Sequence, residues 1–282
     1  MENVTRTLYG QMLQTAQFSN LPFNMVPNTT LNEKFNVQSG VQPATMPSVG
    51  YYAIGNGGHT FQTGVGGLAI IQTLQHSATD ASLFSHLPFV LRATNNDLTV
   101  SERAKYGLRV PVTYNATSYI AYYLKRIDMG AAALSMKIQS TNNGTTTTAT
   151  FVPSAANLSP TPAQLTTNGA NILQGQYGLV SATLGLNLTA AECQEILNAA
   201  AIIYGDSAYA IISEIALCSG VDKVISLPNG DSFTEVIACQ VASHVSTMHV
   251  LQAASTGVGG TLQIGAAEPL LVLDSTFTGP QS

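Results

Sequence analysis
The sequence has no tryptophan and very little charge. Asp, Glu, Lys and Arg make up 9% of its 282 residues, where roughly 25% is usual for a soluble domain. A surface this poor in Lys and Glu must be covered by Thr, Ser, Asn, Gln and Gly, or hidden against other chains. Disorder is disfavoured, because it goes with high charge and low hydrophobicity, and hydrophobic residues reach 45% here. The net charge of −5 argues against nucleic acid, which is bound on basic faces. No window approaches the ~18 apolar residues of a membrane-spanning helix. The opening residues, MENVTRTLYGQML, lack the basic start and apolar stretch of a signal peptide. The sequons at Asn3, Asn28, Asn115, Asn143 and Asn187 then follow from a composition rich in Thr and Asn. Cys193, Cys218 and Cys239 lie in apolar runs and are expected to be buried, unpaired thiols.

The pattern along the chain predicts an α+β fold, mainly antiparallel sheet. Residues 1–50, broken by Pro22, Pro27, Pro43 and Pro47, read as an extended N-terminal arm with one short helix or strand near Leu8–Phe18. Residues 51–138 read as a β-rich lobe. Within it Arg109–Tyr114 and Ser118–Asp128 are rich in Val, Ile and Tyr and flank Asn115–Thr117, a hairpin signal. Residues 139–186, with a turn at Asn142–Gly144, read as an irregular connector or insertion. Residues 187–282 read as a helix pair followed by closing strands, in one domain with 51–138 or apart from it. The first helix starts at a capping box, Thr189 with Glu192, and stops at Gly205. The second spans Ser207–Cys218, so that a pair of buried helices lies near 190–218. Leu227–Asp231 is a turn, and Thr261–Gly265 and Pro269–Phe277 are the closing strands, with Gly257–Gly260 as a loop.

Nothing in the sequence has the spacing of a reaction centre. Gly55–His59 and Gly64–Gly67 lack the Lys and hydroxyl of a phosphate loop and read as tight turns that need positive φ. His244 and His249 are five apart, off the four-residue spacing of a helical zinc site, and no Cys-x-x-Cys occurs. No Gly-x-Ser-x-Gly is present. The expectation is therefore no catalytic residue, no cofactor and no metal. Six of the ten basic residues, Arg92, Arg103, Lys105, Arg109, Lys125 and Arg126, lie between 92 and 126. They pair either with Asp97, Glu102 and Asp128 or with carboxylates of a neighbour.

Several segments together carry a resemblance. They are SVGYYAIGNGGH at 48–59, LPFVLR at 87–92, DLTVSER at 97–103, YGLR at 106–109, YIAYYLK at 119–125 and IGAAEPLL at 264–271. They are similar to a family of uncharacterised virion structural proteins of contractile-tailed bacteriophages. The resemblance covers about half the chain and leaves the middle unmatched. It implies a non-enzymatic part of the tail, baseplate or neck, with a baseplate-wedge component as the first choice. It also implies location in the virion, synthesis in the bacterial cytoplasm, and partners among other virion proteins and copies of the chain itself, with no nucleic acid and no membrane. A receptor- or glycan-binding module on the same particle is the alternative. The candidate assembly contacts are Phe18, Phe23 and Phe35 of the arm, the Gly55–Gly67 turns, and Arg92, Arg103 and Arg109.

Overall fold
The computed structural model describes residues 3–23, 25, 28–63, 69–142, 144–158, 176–253 and 256–270. In chain order its elements are β1 (Asn3–Arg6), α1 (Leu8–Ser19), α2 (Leu31–Phe35), β2 (Ser48–Gly55), β3 (His59–Thr63), β4 (Ala69–Thr73), β5 (His86–Leu87), β6 (Val90–Ala93), α3 (Val100–Arg103), β7 (Tyr106–Tyr114), β8 (Thr117–Arg126), β9 (Leu134–Asn142), β10 (Thr145–Thr150), β11 (Gln176–Thr189), α4 (Ala190–Tyr204), β12 (Ile211–Ser226), β13 (Ser232–Val250) and β14 (Gly257–Pro269). The fold is α+β and mainly antiparallel sheet, as the sequence predicts.

The chain divides into two compact units, Met1–Ile127 with Leu186–Gly260, and Asp128–Gly185 with Thr261–Ser282. These bounds differ from the expected ones. The N-terminal segment belongs to the first unit, the insertion begins at Asp128, and the C-terminal residues join the inserted unit rather than the helix. The first unit holds an eight-stranded sheet in the order β1-β13-β12-β2-β8-β6, with β5 on β2 and β7 on β8, and the separate hairpin β3–β4. Its core packs Tyr51, Ala53, Leu91, Leu108, Leu124, Ala216, Val236 and Val241 into one cluster. The second unit holds β9 and β10 with residues 176–185 and 261–269, within the sheet order β10-β9-β11-β14. The stretch 139–150, expected to be a turn and an irregular connector, makes the β9–β10 hairpin, with Gly144 at φ 77° in its turn.

Local signals explain much of this. The capping box of α4 forms as expected: Thr189 Oγ1 accepts from the Glu192 amide and the Glu192 carboxylate accepts from the Thr189 amide, while Gly205 closes the helix at φ 80°. The β7–β8 hairpin turns through Asn115 and Ala116, both at positive φ. The second helix is a correction. Ser207–Tyr209 make one 3-10 turn, and the residues from Ile211 onward are strand β12. Both faces of this strand are covered, so Ser213, Glu214, Ala216, Leu217, Cys218 and Ser219 are all buried. A strand buried on both faces carries no alternation and reads like a buried helix.

The N-terminal segment is a second correction: it packs on its own fold. β1 pairs with β13, Asn3 opposite Ser246. Helix α1, capped by Thr7, buries Leu13 and Ala16. A Cβ at Gly10 would come within 2.3 Å of the Ala242 carbonyl oxygen, so only glycine lets the helix lie this close to β13. Asn32 of α2 is 1% exposed. It reaches a distortion of β13 where Ala238 takes φ 54°, a conformation that costs a side-chain-bearing residue about 1–2 kcal/mol. Asn32 Oδ1 accepts from the Cys239 amide at 2.9 Å, and Nδ2 donates to the carbonyls of Val236 at 2.9 Å and Val37 at 3.0 Å. The side chain supplies the hydrogen bonds that this stretch of strand would otherwise leave unmade.

Candidate functional site
Titratable side chains converge deep in the fold around Glu214 of β12, which is 0% exposed. Its carboxylate lies among four donors. Oε1 accepts from the amides of Gly57 (3.0 Å) and Ser85 (2.9 Å), and Oε2 accepts from the amide of Phe84 (2.9 Å) and pairs with His76 Nε2 at 2.8 Å. The other ring nitrogen, His76 Nδ1, meets Asp80 Oδ2 at 3.0 Å. The His76 ring is stacked on both faces, by Phe84 and by His244, each with centroids 3.9 Å apart and planes 11° from parallel. Gly55, Gly57 and Gly58 make room for this. A Cβ at Gly55 would meet Glu214 Oε1 at 2.5 Å, and one at Gly58 would meet Glu214 Cβ at 2.9 Å. None of the three has a positive φ, so these glycines answer a need for space rather than for the turn conformation expected from the sequence.

The electrostatics of the cluster follow from its geometry. Burial disfavours charge on His76, but its bonds to Glu214 and Asp80 outweigh burial and raise its pKa. Burial also disfavours charge on Asp80, and here the Ser77 amide and His76 outweigh it and lower the pKa. Two other imidazoles, those of buried His244 and half-buried His86, behave oppositely. Desolvation pushes His244 down to about 4 and His86 down to about 3. With His76 protonated, two carboxylates face one imidazolium. Every oxygen of Glu214 is engaged and its side chain is closed off from solvent, so the cluster is a clamp that ties the 55–58 and 76–86 segments to β12. Among the described residues no group of three or more His, Cys, Asp or Glu is arranged to hold a metal ion. Cys193, Cys218 and Cys239 are free and buried.

The basic segment turns inward. Arg109 donates from Nε and Nη2 to Asp97 Oδ2 at 3.2 and 2.8 Å, while Tyr122 Oη donates to Asp97 Oδ1 at 2.8 Å. Arg103, 4% exposed, pairs with Asp231 at 2.5 Å, and Arg92 pairs with Glu195. Lys125 meets Glu192 at 2.7 Å, and Arg126 meets Asp222 at 2.8 Å while lying over the Tyr51 ring. For five of the six basic residues the internal arrangement holds, though the carboxylates are largely not those expected. Glu102 instead caps α3 with Thr99. Burial pushes the pKa of Glu235, beside the Arg109 amide, up to about 7.

The six candidate contact residues are therefore not equivalent, and the structure does not bring them together. Phe35 stacks on Tyr123 with centroids 4.3 Å apart, and Phe23 is half-buried against Tyr9. Arg92, Arg103 and Arg109 are held in ion pairs. Phe18 stands in solvent at 94% exposure. Of the Gly55–Gly67 turns, 64–67 lie outside the described residues, and 55–58 are filled by Glu214. Sequence reasoning missed the exposed apolar side chains elsewhere: Phe61, Ile70 and Ile71 on the β3–β4 hairpin, and Leu134, Met136 and Val180 on the second unit's sheet. Phe61 sits opposite Ile71, and Met136 opposite Val180. The signal that could have found the second group is the near-absence of charge from the inserted unit, where Asp128, Lys137, Glu268 and Asp274 are the charged residues of the sequence.

A family model described as a family of unknown function, DUF7208, matches residues 1–278. No curated protein and no solved structure matches the chain.

Proposed function
The chain belongs to the DUF7208 family, and we propose that it is a structural component of a tailed-bacteriophage virion, in the baseplate wedge or the neck and tail. It is made in the host cytoplasm, joins other virion proteins and copies of itself, and catalyses nothing. The observation that carries this reading is how charge is distributed. Five cations are tied into ion pairs within the fold, while the β3–β4 hairpin and the second unit's sheet present Phe61, Ile70, Ile71, Leu134, Met136 and Val180 to solvent. Interface cores are depleted in Lys and Glu and enriched in apolar and aromatic side chains, and exposed apolar groups of this kind mark contact surfaces. A two-stranded hairpin is marginal by itself, and a neighbour would complete it. Strand β10, TTTTAT, has every residue exposed and none of the charged or proline residues that usually protect a sheet edge.

The test is gold labelling. Particles of the phage encoding this chain, purified with a tag on the chain and imaged in negative stain, should carry label on the baseplate, neck or tail. Purified infectious particles that lack the protein would refute the reading. A receptor- or glycan-binding role would use Tyr177 and the exposed threonines of β10, and a glycan array with the purified chain distinguishes it.

A further inference from the structure
Strand β10 is an edge of the second unit's sheet. In the order β10-β9-β11-β14 it pairs with β9 alone among the described residues, and Thr145–Thr150 are all exposed. Its inner side is fixed by the hairpin: Thr146 lies opposite Thr141, Thr148 opposite Gln139 and Thr150 opposite Lys137. The Phe151 amide donates to the Met136 carbonyl at 2.9 Å, so the odd-numbered residues turn their backbone groups toward β9. Backbone direction alternates along a strand of an antiparallel ladder. Thr146, Thr148 and Thr150 therefore aim their N–H and C=O groups outward, at the spacing that another β-strand matches.

The strand is its own complement. Laid antiparallel against a second copy with Thr148 on the two-fold axis, Thr148 faces Thr148, Thr146 faces Thr150 and Thr147 faces Ala149. Every outward-facing residue then sits in a hydrogen-bonded pair, giving roughly six backbone bonds across the junction. Sliding the strands by two residues, the smallest shift that keeps this pairing, loses one of those pairs. Opposed threonines hydrogen-bond to one another and favour pairing. Within the hairpin, Thr146 Oγ1 and Thr141 Oγ1, on directly opposite residues, already lie 3.1 Å apart. No charge opposes the contact. Lys137 is the one charged residue in the sequence of β9 and β10, and its place opposite Thr150 puts its two copies at opposite ends of the joint. The two-fold axis stands perpendicular to the sheet, so each face of one copy continues into the same face of the other. Leu134 and Met136 share a face with Ala182 and Val180, which lie opposite them on β11. Leu134, Met136 and Val180 are exposed, and pairing doubles the width of the apolar surface they form.

We propose that a second copy of the chain pairs with β10, strand to strand and antiparallel about Thr148, and joins the two four-stranded sheets into one continuous sheet. The joint is small beside the ~1,600 Å² of a standard interface, so it is reversible and fills as local concentration rises. The setting of the pair in a particle rests on the assembly reading above; the pairing itself rests on β10.

The experiment is disulfide trapping in the full chain, with single cysteines placed on β10. Opposite residues of a hydrogen-bonded pair have Cα atoms about 5.5 Å apart, within the range that a disulfide spans. Cys193, Cys218 and Cys239 are buried and do not compete. Thr148→Cys, held with oxidised glutathione at hundreds of micromolar chain, should form a covalent dimer at least about tenfold faster than Thr146→Cys, whose two copies stand roughly 14 Å apart in this register. Thr146→Cys mixed with Thr150→Cys should trap as the mixed dimer. Thr148→Pro removes an outward amide, and Thr148→Lys sets like charges opposite each other. Each should abolish the dimer seen by sedimentation at the same concentration and leave the circular dichroism spectrum unchanged, since neither touches a bond to β9; the lysine variant covers the case in which proline disturbs the hairpin. A wild-type chain that sediments as a monomer would overturn the proposal. So would trapping at Thr146→Cys as fast as at Thr148→Cys, or an oligomer that survives Thr148→Lys. None of these results bears on whether labelled particles carry the protein, so the two readings fail separately.

Discussion

Replacing Asn32 by alanine tests whether the N-terminal segment is part of the fold. The change removes three hydrogen bonds from a side chain that is 1% exposed. Two of the groups left behind, the Cys239 amide and the Val236 carbonyl, belong to the interior of β13, where no water can replace the lost partner. Each unmade buried bond costs about 1–3 kcal/mol, so the expected loss is about 3–5 kcal/mol from a total that rarely exceeds about 15 kcal/mol. The assay is urea denaturation followed by tyrosine fluorescence. The chain has no tryptophan, and among its eleven tyrosines all but Tyr177 lie in the first unit, so the signal reports that unit. The midpoint should fall while the slope with urea stays constant, because the surface exposed on unfolding is unchanged. Adding Ala238→Gly to the alanine variant should restore about 1 kcal/mol, since glycine tolerates φ 54° without the steric cost. A loss below about 1 kcal/mol, or a chain deleted for residues 1–47 that melts at the wild-type midpoint, would refute the reasoning and leave the segment an independent arm.

Glu214→Gln should destabilise the chain by about 3 kcal/mol in the same assay, because an amide NH₂ would replace an acceptor facing three backbone amides and His76; a wild-type midpoint would show that the clamp contributes nothing. Stability should be limited on both sides of neutral pH. His76, with its pKa raised in the fold, contributes stability that is complete below its ordinary value near ~6.5 and is lost as pH rises through its folded value. His244 and His86, lowered to about 4 and about 3, contribute stability present above that ordinary value and lost as pH falls through the lowered ones. Melting temperature against pH should therefore show an alkaline decline that His76→Gln removes and an acid decline that it leaves. Arg109→Ala, which leaves the mostly buried Asp97 carboxylate without its cation, should cost about 2–3 kcal/mol. Arg103→Ala should cost less, because its partner Asp231 stands partly in solvent; the reverse order in denaturation midpoints would contradict the ion-pair geometry.

The parts of the fold that depend on neighbours in sequence were legible. The Thr189–Glu192 box, the Gly205 stop and the β7–β8 hairpin each satisfy their hydrogen bonds within a few residues, so their signals are local. The pairing of Arg109 with Asp97 was within reach for the same reason. What escaped reading depends on distant contacts. Ile211–Cys218 is strand because β2 and β13 cover its two edges and other segments cover its faces, and an apolar run alone does not say so. Asn32 looks like one of many asparagines until Val236 and Cys239 are brought to it. His76 and Glu214 are separated by 138 positions, and nothing near either one announces the other. The Gly55–Gly58 run was visible as a constraint, but the object it makes room for was not.

The pairing of β1 with β13 has a consequence for synthesis. Strand β1 is synthesised long before the strand that receives it, which is nearly the last part of the first unit to appear. At roughly 5–20 residues per second, Asn3–Arg6 waits on the order of 10–50 s for Ser243–Ser246, and β2 waits about two-thirds as long for β12. Throughout that interval α1 and α2 have no surface to cover, and the apolar strands between them and β12 are only partly sheathed. Folding of the first unit consequently cannot finish until β13 is made, and closing such long loops is slow, which lengthens the time in which apolar strands are open to aggregation. The same geometry acts as a proofreading step. A chain terminated anywhere before β13 lacks the strand on which β1 and Asn32 dock, so such a product cannot close the first unit.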